Sequence, residues 1–183
     1  MHYLISRSIF VFIALLVFTS NTYAYAYTTQ DRIKAVIIGK AAKYVTWQNF
    51  DSRTFKITVI ADKKFGALVK ATYAERKIKN KDVEVFVIDN LEELGETHVL
   101  FIPEASYSVI TSILEKIKGK SILTISDSRG FAEKNGIIQL YYSAQKTKLK
   151  INYEKSKAEN LIISTSLLQI AQIVKSEVTD ESD

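Results

Sequence analysis

Residues 55–61 read FKITVIA, and two further stretches of the same kind follow, VEVFVID at 83–89 and VLFIP at 99–103. In the first, nearly every position after Lys56 is apolar or β-branched, the pattern of a strand covered on both faces rather than one. Helical segments lie around these strands. Asp31 to Tyr44 spaces Ile33, Val36, Ile37, Ala41 and Tyr44 three and four apart, an amphipathic stripe that Thr28 or Thr29 can cap. Asp62 is placed to cap a second helix running to about Arg76. Ser106 to Lys118 carries Val109, Ile110, Ile113, Leu114 and Ile117 on one face and stops at Gly119, after which SILTISD (121–127) reads as a fourth strand.

The last third changes style. GIIQLYYS (136–143) and KLKINY (148–153) flank residues 144–147 as a hairpin, with Leu149, Ile151 and Tyr153 alternating against Lys148, Lys150 and Asn152. That alternation predicts one dry face and one wet one. Ser164 to Lys175 offers Leu167, Ile170, Ala171 and Val174 as the buried stripe of a closing helix. The expected fold is therefore α/β, a layered sandwich with a mostly parallel central sheet ending in an antiparallel hairpin and helices on both faces. With one proline in 183 residues and no repeat or linker, a single domain over 27–176 is expected, followed by an acidic flexible tail at 177–183.

Residues 1–26 differ from the rest. His2 and Arg7 precede the apolar run IFVFIALLVF (9–18), and Ala24-Tyr25-Ala26 supplies a small-x-small cleavage pattern. Ten apolar residues in a helix cover about 15 Å, roughly half a hydrocarbon core, which favours a cleaved signal peptide over a permanent anchor. An exported, periplasmic product cut near Ala26 is expected, with no direct membrane insertion afterwards. The formal net charge of +5 is scattered rather than striped, which argues against a nucleic-acid partner. The absence of cysteine excludes disulfides, thiolate nucleophiles and Cys-based metal sites.

Little in the chain points to catalysis. Once the leader is removed His98 is the one imidazole, at the mouth of a buried strand and without an HxH or HExxH companion. No GxSxG elbow occurs, and six scattered glycines make no phosphate-cradling loop. Asp62, Asp89 and Asp127 each follow a predicted strand, where α/β sheets gather ligands, yet an aspartate in that position commonly caps the next helix or turn. No catalytic residue, metal or cofactor is assigned. A pocket at the strand carboxyl ends near Asp127, Ser128 and Gly130 would make the chain a small-ligand carrier.

Three separated stretches carry a family resemblance: DRIKAVIIGKAAKYVTWQNF (31–50), THVLFIP (97–103), and the long segment from Gly136 through Ala171. Together they resemble the YfiR family of periplasmic proteins. The first matches an opening helix that ends in an aromatic-x-x-Trp pattern, and the last a glycine-led strand, a basic-aromatic-acid-Ile-Asn strand and a closing Ser-x-x-Leu-Leu-x-x-Ala helix. The resemblance implies a dimerising α/β sandwich that acts by binding, repressing a membrane-anchored diguanylate cyclase or partnering a membrane sensor kinase from the periplasmic side. Biofilm and cyclic di-GMP control would be its output. Gln48 stands where the family usually has proline, Lys150 replaces an acid, and the paired cysteines of some members are missing, so disulfide control is excluded here.

Two sets of residues are candidates for the partner surface. Trp47, the single tryptophan, continues the stripe of the first helix through Tyr44; it is either a core plug with its N–H on backbone or, with Gln48, an aromatic anchor in a partner groove. Lys148, Lys150 and Asn152 are either a solvated strand face or a docking row.

Overall fold

A computed structural model describes residues 26–48 and 50–177. The export segment expected at 1–26 and the acidic tail expected at 177–183 lie outside them, apart from Ala26 and Glu177. In chain order the elements are α1 (Thr29–Lys43), β1 (Val45–Trp47), β2 (Phe55–Ile60), α2 (Lys63–Tyr73), β3 (Lys77–Ile78), β4 (Lys81–Ile88), a 3-10 turn (Leu91–Glu93) and β5 (Val99–Ile102). They continue as α3 (Tyr107–Lys116), β6 (Leu123–Ser126), β7 (Ile138–Ser143), β8 (Lys146–Asn152), α4 (Tyr153–Ala158), β9 (Leu161–Ile163), α5 (Thr165–Leu168) and β10 (Gln172–Val174).

Eight strands form the central sheet in the order β10-β8-β7-β6-β5-β2-β4-β3. Strands β2, β4, β5, β6 and β7 run parallel, β8 returns antiparallel to β7, and β10 lies parallel to β8. The expected layered sandwich is the fold observed. Strand β5 displays its logic: Val99 and Phe101 pack with α1 and α2, whereas Leu100 and Ile102 pack with α3 on the opposite face. A strand with both faces covered has no polar position to spare, which is why these segments read as continuous apolar runs.

The face that α1 buries is not its large-residue stripe. Ile33 and Tyr44 are exposed, and the buried positions are Ala35, Ile38, Gly39, Ala41 and Ala42. Small residues let α2 approach closely. Tyr73 of α2 places its hydroxyl 3.0 Å from the Ala35 carbonyl and accepts the Gly39 N–H at 2.9 Å. A Cβ at Gly39 would fall 2.2 Å from that hydroxyl oxygen. The contact works through missing side chains, so the expected stripe is only partly right: Ala41 is buried and Ile37 packs against the core, but Ile33 and Tyr44 fall off the buried face.

The hairpin turns at Ala144 and Gln145, both at positive φ, as a two-residue turn matched to the twist of its strands requires. The helix expected over 164–175 is a correction. Only Thr165–Leu168 is helical; the chain then turns and adds Gln172–Val174 to the outer edge of β8, with Ile173 opposite Ile151. Leu167 is buried as expected, but Ile170 is 73% exposed. The segment meets a free sheet edge within one turn, and ladder hydrogen bonds there replace those of a longer helix.

Candidate functional site

Trp47 lies in β1, not at the end of α1, and pairs across a small second sheet with Leu161 of β9. Its indole is 6% exposed, edge-on to Phe55 at 5.5 Å, with Phe50 at 5.9 Å and His98 at 6.1 Å. This is a core side chain. The expected backbone partner is missing among the described residues, where Nε1 makes no hydrogen bond. Gln48, the next residue, is exposed.

His98 closes the same aromatic cluster, stacked on Phe55 at 4.9 Å, and its Nδ1 accepts the Lys56 N–H at 2.9 Å. Burial pushes its pKa below the ordinary 6.5, although the Glu96 charge opposes the shift. The unfolded chain keeps the ordinary value, so below about pH 6.5 it takes up the proton first. Stability is then fully present above that pH and is lost as pH falls through the folded value. Unfolding curves at about pH 7.5 and about pH 5 should show wild type losing more stability than His98→Gln, which keeps an acceptor but cannot titrate; parallel losses would contradict this account of the imidazole.

The three aspartates do not converge. Asp62 caps α2 by accepting from Phe65 N at 2.8 Å, and Asp89 pairs with Lys63 at 2.9 Å. Asp127 pairs with Lys34 of α1 at 2.8 Å. Desolvation works against the Lys34 ammonium, but the hydrogen bond and charge of Asp127, aided by Asp31, hold its pKa above the ordinary value. Among the described residues no group of three or more His, Asp or Glu side chains is placed to hold a metal ion.

Around Asp127 the chain forms a cleft of about 250 Å³ lined by Gln30, Lys34, Arg129, Leu140, Tyr142 and Thr147, among others. It opens at the carboxyl end of β6, close to the region expected from the sequence. Ser128 and Gly130 do not line it. Ser128 is buried, with its Oγ 3.0 Å from Ser126 Oγ and accepting from Ala105 N at 3.2 Å, so it ties the end of β6 to the loop after β5. Gly130 sits at φ 75° in the turn that follows. Gln139 also borders the cleft, but its register opposite Ser126 and Lys150 turns its side chain to the face that carries α3. Sequence reasoning missed Lys34 and Arg129. Lys34 comes from 93 positions away, and nothing in the local sequence marks either as part of a cleft with Asp127.

The expected row on β8 divides. Lys148 is exposed, whereas Lys150 is half-buried against Glu133 at 2.5 Å. Asn152 is wholly buried: Nδ2 donates to Ala132 O at 2.8 Å and Ser176 Oγ at 2.9 Å, and Oδ1 accepts from Lys155 N to cap α4. A wet face holds for the first residue only, because β10 and the turn before β7 cover the end of β8.

Comparison with known proteins gives one family. A family model described as YfiR/HmsC-like matches residues 31–172, from the first turn of α1 to the start of β10. No curated protein matches the sequence.

Proposed function

Since this chain belongs to the YfiR/HmsC-like family, whose members are periplasmic regulatory proteins, we propose that it represses or modulates a membrane-anchored signalling protein through that protein's periplasmic domain. The partner is a diguanylate cyclase, and the output is cyclic di-GMP. One observation carries this reading: the family match spans the whole folded domain rather than one motif. The physical chemistry is consistent with a protein that works by binding. His98, the imidazole of the domain, is committed to the Lys56 backbone, and the aspartates are committed to a cap and two ion pairs. Among the described residues no helix is long and apolar enough to cross a membrane. The chain acts as a homodimer in this reading, exported and cut near Ala26.

Capture tests it. The tagged, exported protein is recovered from detergent-solubilised membranes of its own cells, and the co-purifying proteins are identified. A diguanylate cyclase with a periplasmic domain is the expected companion. Recovery of a transport permease in its place would move the assignment to a ligand carrier.

A further inference from the structure

We propose that the cleft beside Asp127 binds a small carboxylate monoanion that also carries a hydroxyl group, with Arg129 as its anchor. Topology makes the space. Strand β6 ends at Ser126, opposite Gln139, but β7 runs on to Ser143, so four residues of its edge have no neighbouring strand on that side. The N-terminal turns of α1, the loop after β6 and the β7–β8 hairpin close around the gap. Leu140 and Tyr142 bring apolar surface to it, while Tyr141 turns its ring to the opposite face, beside Lys150. Its volume, about 250 Å³, lies just under the usual range for sites of drug-sized ligands, which selects a small molecule.

The charges select the class. Lys34 is already engaged, 2.8 Å from Asp127 Oδ2 and 3.4 Å from Asp31. Arg129, exposed at the rim, makes no ion pair or side-chain hydrogen bond with any described residue. A guanidinium presents a planar fork of donors that a carboxylate fills with two parallel bonds. Asp127 supplies the second demand: Oδ1 is buried out of reach, but the side chain is 24% exposed where it lines the cleft, and Oδ2, paired with Lys34, keeps a lone pair open. A carboxylate oxygen in that state is satisfied by an O–H donor. The same negative charge repels a dianion, so a phosphate ester is disfavoured where a monocarboxylate is accepted. Hydroxyl to Asp127, carboxylate to Arg129 and an apolar body against Leu140 and Tyr142 describe one compact hydroxy acid.

The site is tested on the isolated mature chain and is independent of which membrane protein the chain partners. Calorimetric titration uses 4-hydroxyphenylacetate, its methyl ester, phenylacetate and phenyl phosphate. Saturable one-site binding of the hydroxy acid is expected. Arg129→Gln should weaken it about tenfold, the size of one charge-assisted contact, and the methyl ester should lose as much on wild type. Phenylacetate, which lacks the hydroxyl, should also bind more weakly. Arg129 is exposed and unpaired among the described residues, so its replacement leaves the melting temperature unchanged and the comparison clean. No saturable binding of the hydroxy acid, equal binding of acid and ester, an Arg129→Gln protein that binds like wild type, or tighter binding of phenyl phosphate would each overturn the proposal.

Discussion

Replacing Trp47 with alanine is expected to cost about 3–5 kcal/mol of folding stability, a large share of the roughly 5–15 kcal/mol that a domain of this kind possesses. The indole fills the junction between the small β1–β9 sheet and the N-terminal end of β2, and its loss strips Phe50, Phe55 and His98 of a common neighbour. Cavity formation, rather than a lost polar contact, is the cause, because Nε1 makes no hydrogen bond with any described residue. Trp47→Phe should therefore retain most of the stability that Trp47→Ala gives up. Thermal unfolding of the purified variants measures this. A Trp47→Ala protein that melts like wild type yet no longer captures its membrane partner would place the indole at the interface instead of in the core.

Asn152 is the second position with a large expected effect. One side chain joins four parts of the chain: the end of β8, the turn at Ala132, the N-terminus of α4 and Ser176 beyond β10. Asn152→Ala removes the α4 cap and leaves a buried carbonyl without its donor. A lost cap costs about 1 kcal/mol and a stranded buried acceptor about 1–3 kcal/mol, so a loss of roughly 3 kcal/mol is expected. Asn152→Asp keeps the cap acceptor but sets a buried carboxylate oxygen against the Ala132 carbonyl, and should lose at least as much as Asn152→Ala at neutral pH. Denaturant unfolding reads the series, with Lys148→Glu on the exposed part of the same strand within about 0.5 kcal/mol of wild type. Asn152→Ala at that same level would contradict the four-way tie. Lys150 is no substitute as a control, because reversing it sets two carboxylates together at Glu133.

The parallel strands were legible because burial on two faces leaves a local trace: FKITVIA and VLFIP are apolar at almost every position wherever their neighbours fall. The Asp62 cap was legible for the same reason, since the contact spans three residues. What failed depended on distant partners. β1 and β9 are three residues each and gain their pairing from one another across more than a hundred positions. β10 looks like the continuation of a helix until the free edge of β8 is present to receive it. Asn152 sits in a row with two lysines and reads as solvated, while the segment that buries it is joined elsewhere. At the cleft Asp127 stood out by following a strand, but its ion pair with Lys34 and the bare edge of β7 are products of topology.

The regulatory assignment is tested most directly by the intracellular level of cyclic di-GMP. It is measured in cells that express the partner cyclase, with the gene for this chain intact, deleted, and restored by an exported copy. The account predicts a rise on deletion, with increased surface attachment, and a return to the original level on restoration. A level that stays unchanged on deletion while the cyclase is present would contradict it.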